Sequence, residues 1–257
     1  RVDDDSGTAN QTLPCIALRG NDEAYCAWVD DRKDKRGICL ATSQDQAASF
    51  SPSILINDGA PASATHPAIK ADANGHIYLA WSAKDQGQDN IYFDRGQKTL
   101  GIEGYSWIFG SDVLVNPPTS QASFPALAVS SDGQNVYLAW QNLKDKNEDI
   151  YFSKSANQGA SFGASVAVVD DSGTSSQRYP ALAIDSNAGI QIAWEDYRWI
   201  ESDIYFAYSI DAGEGFRTNI LVNDDKGKAN QNNPSLVLDD AGKRVFISWT
   251  DNRAGSS

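Results

Sequence analysis

The chain has 257 residues, of which 41% are apolar and 21% are charged, with a formal net charge of −13. Its isoelectric point is about 4.5. An acidic chain without a basic stripe repels phosphate backbones, so the composition argues against nucleic-acid binding. No run of about 18 apolar residues occurs, so no membrane span is predicted. The chain contains no Met and begins at Arg1, which fits a secreted or cell-surface protein after removal of a leader, or an artificially trimmed chain.

A β-branched and aromatic run that ends in Trp recurs five times along the chain. The five residues are Trp28, Trp81, Trp140, Trp194 and Trp249, at spacings of 53, 59, 54 and 55 residues. Self-similarity at a period of this length is the signature of repeat architectures. A residue that recurs at the same place in every repeat serves the fold, so function is sought where the repeats differ.

Each repeat is predicted to contain four short strands. The first follows a Pro, as in PALAV; the second ends in the Trp; the third reads like DIYFSKS and the fourth like SVAVVD. These runs are rich in strand-forming residues and are separated by turn residues, which is typical of antiparallel hairpins. Four strands per unit of roughly 40 to 50 residues predict an all-β protein with the β-propeller fold.

The repeats divide one propeller domain, residues 1–257, into four complete blades and an incomplete fifth. The predicted blades span residues 9–58, 59–117, 118–171, 172–225 and 226–257. Residues 1–8 match the end of a fourth strand and its loop, as in residues 169–174. Three explanations of the unfinished ring stay open: a piece of a longer propeller, a five-bladed ring with a defective last blade, or closure by another chain. Because proteins normally cover open sheet edges, self-association through the last blade is one predicted form of closure.

The turn from third to fourth strand carries a motif in the first, third and fourth repeats. Its residues are Ser43, Asp45 and Phe50; Ser155, Asn157 and Phe162; and Ser209, Asp211 and Phe216. The motif resembles the Asp-box of bacterial neuraminidase (BNR) repeats in sialidase-like propellers. A short carboxylate accepts backbone N–H bonds in such a turn, and the aromatic ring anchors the hairpin. In that family the box is structural and lies opposite the active site, so the resemblance implies fold rather than activity.

A second recurring pattern, W-x-D-x-R, follows the second strand in three repeats. It contributes Asp30 and Arg32, Asp196 and Arg198, and Asp251 and Arg253. One interpretation is structural, because an Asp and an Arg two residues apart can pair and hold the loop. The other is a ring of charges around the pore mouth that binds an anionic or hydroxyl-rich ligand.

Departures from the repeat indicate where a ligand would bind. Trp199 follows Arg198 beside Tyr197, and no other repeat has an aromatic residue there. The residue before each first-strand Pro also changes, and these positions are expected near the axis: Leu13, His66, Phe124, Tyr179 and Asn233. An exposed aromatic ring beside polar groups suits the C–H face of a sugar. The predicted ligand site comprises Arg32, Arg198, Arg253, Asp30, Asp196, Asp251, Tyr197, Trp199, Tyr179 and His66.

The family resemblance also implies a catalytic set: three arginines, a Tyr/Glu nucleophile pair and an acid/base Asp. The Arg-Ile-Pro motif of that family is absent here, and Tyr179 and Glu195 are candidates for the pair only by elimination. No catalytic residue is therefore predicted. The predicted function is a secreted, non-catalytic recognition module for a glycan or an extracellular protein. The alternative is an exo-sialidase-type glycoside hydrolase with part of its machinery outside this chain.

No cofactor is predicted. The chain has three Cys, Cys15, Cys26 and Cys39, with no C-x-x-C pair, and two His, which argues against a zinc site. The three thiols are either free or include one disulfide. Residues 3–5 and 223–225 are acidic enough to attract Ca²⁺, but that ion needs about six to eight convergent oxygens, and spacing alone does not show convergence.

Overall fold

The computed structural model describes residues 1–32, 36–57, 59, 63–101, 104–117, 120–144, 146–239 and 242–253. Across these residues the regular structure is entirely β, in five antiparallel sheets. The predicted β-propeller, with four full blades and a partial fifth, is confirmed. The described part of the chain has no helix that could span a membrane.

The strands follow one another from the inner to the outer edge of each blade. Blade 1 contains β1 to β4, at Gln11–Arg19, Glu23–Asp30, Gly37–Ser43 and Ile54–Leu55. Blade 2 contains β5 to β9, at Thr65–Ala71, Ile77–Asp85, Gln88–Gly101, Gly104–Phe109 and Val113–Leu114. Blade 3 contains β10 to β13, at Gln121–Val129, Val136–Lys144, Asn147–Ser155 and Val166–Ala167. Blade 4 contains β14 to β17, at Gln177–Ile184, Ile190–Asp196, Asp203–Ser209 and Ile220–Leu221. Blade 5 contains β18 and β19, at Gln231–Leu238 and Val245–Asp251.

The five Trp residues occupy the same place on the second strand of every blade. Trp81, Trp140 and Trp194 are fully buried, and each packs in a cluster with residues of the preceding blade. Trp194 also stacks on Tyr205 of the third strand, with ring centres 6.4 Å apart. Trp249 is only partly buried, and its sheet has two strands among the described residues. The indoles of blades 2, 3 and 4 therefore form contacts that join successive blades.

Blade 2 differs from the other full blades by an inserted hairpin. β7 runs on to Gly101 and pairs with β8, while β9 pairs with β7 where other blades have their fourth strand. Trp107 of the hairpin packs edge-on against Tyr25 of blade 1, at 5.9 Å. Where the sequence shows only a longer segment, residues 95–107, the structure shows a hairpin that covers the junction of blades 1 and 2.

The turns from third to fourth strand in blades 1, 3 and 4 share one hydrogen-bond pattern. In blade 4 the Ser209 hydroxyl donates to Asp211 Oδ1 (2.6 Å) and accepts the Gly213 N–H (3.0 Å). The same carboxylate oxygen accepts the Gly215 N–H at 3.2 Å. Equivalent bonds link Ser43, Asp45, Ala47 and Ser49 in blade 1 and Ser155, Asn157, Gly159 and Ser161 in blade 3.

The aromatic residue that closes each turn packs into the core. Phe162 meets Phe93 of blade 2 edge-on at 5.3 Å, and Phe216 meets Phe152 of blade 3 in the same way at 5.4 Å. Gly159 has a φ of +88°, and a Cβ added there would lie 2.0 Å from the Phe93 ring. Both the backbone conformation and the close ring therefore require glycine at this turn.

The first prediction concerns the indoles. We expect Trp140→Ala to lower the free energy of unfolding by about 3–5 kcal/mol, because it removes a fully buried ring from a packed interface. Trp249→Ala should have a clearly smaller effect, since that ring is partly exposed. Urea unfolding followed by circular dichroism measures both. Equal losses in the two variants would contradict the assignment of Trp140 as a contact between blades.

Candidate axial binding site

Each innermost strand carries a bulge at its X–Pro dipeptide. The register of pairing shifts there in all five blades, for example between Arg178 and Ala181. The residue before the Pro has a left-handed backbone in every case, with φ between +49° and +55°: Leu13, His66, Phe124, Tyr179 and Asn233. Pro lacks an N–H for the ladder, so a bulge at this point is physically reasonable. A left-handed conformation costs a residue other than glycine about 1–3 kcal/mol, and such strain concentrates at functional sites.

The five dipeptides surround one cavity of about 320 Å³. Because one equivalent dipeptide of every blade contributes to it, the cavity lies where the inner strands converge on the propeller axis. Its volume is at the lower end of the range for ligand pockets, which is about 300–1,000 Å³. The structure therefore places a small pocket at the centre of the ring.

Three rings form an aromatic arc along one side of the cavity, defined as His66, Phe124 and Tyr179. The His66 and Phe124 ring centres are 3.9 Å apart, and the Tyr179 ring meets Phe124 edge-on at 4.7 Å. Leu13 and Asn233, both exposed, complete the lining. Tyr179 and His66, both predicted ligand residues, thus lie together. Phe124, Leu13 and Asn233 were not among the predicted ligand residues, although their place before the Pro marks them in the sequence.

In three blades, the backbone N–H of the left-handed residue before the Pro donates a hydrogen bond to a side chain of the preceding blade. We call this bond a cap. Each acceptor side chain directly follows the repeated Trp on its second strand. The bonds run from Phe124 N–H to Ser82 Oγ (3.0 Å), from Tyr179 N–H to Gln141 Oε1 (3.3 Å) and from Asn233 N–H to Glu195 Oε1 (2.6 Å). These caps connect the contacts between blades with the backbone that lines the cavity.

Glu195 is a buried carboxyl directly behind the cavity wall. It is 1% exposed, and burial raises its pKa. One oxygen accepts the Asn233 N–H, and the other accepts the Tyr197 hydroxyl at 3.1 Å. The Arg178 guanidinium lies 5.3 Å from the Tyr197 ring centre and forms an ion pair with Glu148. The tyrosine that meets Glu195 is therefore Tyr197, and not Tyr179, the candidate by elimination.

The rim arginine of blade 4 belongs to a network within the chain. Arg198 binds Asp196 through two nitrogens, at 2.9 and 2.8 Å, and reaches Asp170 at 3.3 Å. Its guanidinium lies 4.1 Å from the Tyr205 ring centre. The Trp194 indole donates to the same Asp196 at 3.0 Å. The network joins the second strand of blade 4 to the segment that leaves blade 3.

The same arrangement recurs in blades 1 and 5. Arg32 pairs with Asp30 at 2.9 Å and with Asp4, and Arg253 pairs with Asp251 at 2.6 Å and with Asp224. Asp4, near the N-terminus, therefore stands where Asp170 stands in blade 4. None of these arginines is among the residues that line the axial cavity. Ligand binding by the rim charges stays a prediction, but each charge already has a partner in the chain.

Trp199 lies on the outer side of blade 4, apart from the aromatic arc. It is 44% exposed, and its indole N–H donates to the Tyr205 hydroxyl at 3.1 Å. The Lys226 ammonium lies 3.7 Å from the ring centre. The neighbouring Ile200 is 93% exposed. Trp199 thus covers the segment between blades 4 and 5 and leaves part of its face open.

In the described part of the chain, no group of three or more His, Cys, Asp or Glu side chains is arranged to hold a metal. The acidic side chains of residues 3–5 turn to separate partners, which are Arg1, Ser53 and Gly7. The three cysteines are free thiols, and burial raises the pKa of each: Cys15, Cys26 and Cys39.

Comparison with solved structures finds chains of similar fold. A protein of unknown function from Dyadobacter fermentans is 15% identical with a TM-score of 0.68, over 94% of this chain and 75% of that chain. An α-L-arabinanase from Penicillium chrysogenum, complexed with arabinobiose, is 14% identical with a TM-score of 0.67, over 94% and 80%. A leech intramolecular trans-sialidase is 10% identical with a TM-score of 0.55, over 96% of this chain and 59% of its own.

At these identities the likeness shows a shared fold. No protein-family model matches the chain, and no curated protein matches it.

A second prediction concerns the caps. We expect Ser82→Ala to lower the free energy of unfolding by about 1–3 kcal/mol, because the Phe124 N–H loses its acceptor in a part-buried site. Ser106→Ala on the exposed strand β8 is the matched control and should change little. Urea unfolding of both variants tests the difference. A loss no larger than that of the control would show that the cap does not stabilise the bulge.

A third prediction follows from His66. Burial lowers its pKa, so the folded state resists the proton that the unfolded chain takes up near pH 6.5. Stability from this group is therefore present above about pH 6.5 and is lost as the pH falls towards the lower, folded pKa. His66→Asn removes the titration and tolerates the left-handed backbone. Between pH 8 and 5 the wild type should lose more unfolding free energy than the variant. Parallel pH curves would contradict this.

Proposed function

We propose that this propeller is a recognition module that binds a saccharide in the axial cavity without cleaving it. The observation that carries the proposal is the aromatic arc of His66, Phe124 and Tyr179 beside the exposed Asn233. Sugars present C–H groups on a ring face and hydroxyls around the edge. Aromatic faces match the first, and the Tyr179 hydroxyl and the Asn233 amide match the second.

The backbone of the site supports the same proposal. Five left-handed residues are retained at one cavity, although glycine would relieve the strain at each. Three of them are fixed by caps from a neighbouring blade. A site held in advance in this way lowers the entropy lost when a ligand binds. Strain and support together indicate a built binding site rather than a gap left by the ring.

The similar folds agree with a glycan ligand. One neighbour is an α-L-arabinanase complexed with arabinobiose, and another is a trans-sialidase. We also assign the three Ser-x-Asp/Asn turns as Asp-boxes of the BNR type, on their shared hydrogen bonds. Such a protein would act outside the cell or at its surface, where glycans are presented.

A glycoside hydrolase is the second candidate, favoured by one observation. The Tyr197 hydroxyl lies 3.1 Å from Glu195 Oε2, and a tyrosine can serve as the nucleophile of a retaining glycosidase. However, Glu195 is 1% exposed, and its other oxygen is occupied by the Asn233 N–H. Its bond to the wall of the cavity accounts for the carboxyl without catalysis, so we place recognition first.

The rim offers a second surface in this proposal. Trp199 and Ile200 present exposed apolar area next to Arg198, to which a glycan or an extracellular protein would bind. Val237 and Phe246 are exposed on blade 5, which supports self-association there. Both surfaces are secondary to the axial cavity.

A fourth prediction tests the axial site. A glycan array followed by titration calorimetry should show saccharide binding that Tyr179→Ala weakens at least about tenfold, equivalent to about 1.4 kcal/mol. Tyr105→Ala, on the exposed hairpin of blade 2, is the matched control and should bind as the wild type does. Binding unchanged in Tyr179→Ala would remove the axial cavity as the site.

The catalytic alternative has its own assay. The wild type is incubated with fluorogenic sialosides and arabinosides, in parallel with Glu195→Gln and Tyr197→Phe. We expect no release of fluorophore by any of the three proteins. Turnover by the wild type that either variant abolishes would overturn the proposal of a non-catalytic module.

A further inference from the structure

The lining of the axial cavity is free of permanent charge. It consists of five prolines and five side chains, which are Leu13, His66, Phe124, Tyr179 and Asn233. Of these, only His66 titrates near neutrality, and desolvation by burial lowers its pKa, which favours the neutral ring. The His66 Nδ1 lies 3.1 Å from the hydroxyl of Thr65, and the ring rests on Phe124. A ligand in the cavity therefore meets apolar carbon and neutral polar groups.

The basic residues on the two strands that carry Tyr179 and His66 are paired or distant. Arg178, which precedes Tyr179 on β14, forms an ion pair with Glu148. Lys70 is exposed and follows His66 by four residues on β5, about 13 Å further along the strand. Neither offers a free positive charge to a ring that is held against the aromatic arc.

The ionisable side chain that bonds to the cavity wall from behind is an acid. Glu195 Oε1 lies 2.6 Å from the backbone nitrogen of Asn233, which lines the cavity. The chain as a whole also carries a net charge of −13. Burial raises the pKa of Glu195, so this carboxyl offers an anion no positive partner, and the overall charge of the chain disfavours the approach of an anion.

We propose, building on the saccharide-binding function above, that the axial cavity selects neutral sugars and rejects sugars with a carboxylate or sulfate on the bound ring. An anion that enters the cavity loses part of its water and finds no positive partner in exchange, which makes its transfer unfavourable. A neutral ring exchanges its water for aromatic carbon and for hydrogen bonds to Tyr179 and Asn233. The site thus differs in substrate class from a sialic-acid site.

The experiment compares matched probes by titration calorimetry on the whole chain. The pairs are lactose with sialyllactose, methyl glucoside with methyl glucuronide, and methyl galactoside with methyl galacturonide. We expect the neutral member of each bound pair to bind at least about tenfold more tightly, with an affinity that salt does not change. Uronate affinity equal to or above that of the neutral partner would overturn the selectivity. It would leave the proposed function standing if Tyr179→Ala still abolishes binding.

A charge placed in the cavity provides the second arm. Leu13→Lys adds a cation to the lining at a residue that already holds the left-handed backbone without glycine. It should raise the affinity for each uronate about tenfold relative to the affinity of the same variant for the matching neutral probe. Leu18→Lys, on the same strand, 68% exposed and outside the cavity, is the matched control and should change neither. No gain for uronates in Leu13→Lys would overturn the proposal, and no binding of any probe to the wild type would overturn the proposed function with it.

Discussion

The hydrogen bond that crosses from one blade to the inner strand of the next is the contact on which the rest of this architecture depends. It starts at a backbone N–H that the X–Pro bulge has turned out of the sheet ladder, as at Tyr179. Its acceptor is fixed because it directly follows a Trp that is packed between blades, as Gln141 follows Trp140. A part-buried N–H without an acceptor is costly, so the bulge and the packing of the blades stabilise one another. The cavity inherits its shape from this coupling.

The repeat distinguishes the residues that build the ring from those that vary at the axial cavity. The Trp and the Pro are the same in every blade, while the residue before the Pro and the cap after the Trp vary. The acceptor belongs to Ser82, Gln141 or Glu195, so an oxygen is supplied by side chains of different length and chemistry. The side chain before each Pro can vary because the backbone conformation there is the same in every blade. This variation sets the chemistry of the axial cavity.

Much of the fold could be read from the sequence because it rests on period and on turn residues. The Trp spacing and the Pro-led inner strands locate all five sheets. The hairpin of blade 2 could not be foreseen, since residues 95–107 break the repeat and carry no hairpin signal of their own. The sequence also did not predict the left-handed conformation before each Pro, because residues such as Phe124 and Tyr179 rarely adopt it.

The candidate site was harder to read because composition does not show which charges are already paired. Arg198 looks available in the sequence, yet it bonds to two carboxylates and covers the Tyr205 ring. The partner of Glu195 was missed for a related reason. Tyr197 is two residues from Glu195 in the chain, and Tyr179 is next to Arg178, the strand partner of Glu195. The loop after Asp196 brings the Tyr197 hydroxyl to the carboxyl.

The acidity of the chain is explained in part by the aspartates in its turns. Aspartates accept backbone N–H groups in turn after turn, as Asp132 does from Gln134, Asp185 from Gly189 and Asp239 from Lys243. A propeller has many tight turns, and a short carboxylate satisfies the N–H groups that a turn leaves unpaired. The net charge of −13 therefore follows in large part from how the blades are closed. In the proposed function the ligand contacts the few uncharged residues that the inner strands bring to the axis, and not the charged turns.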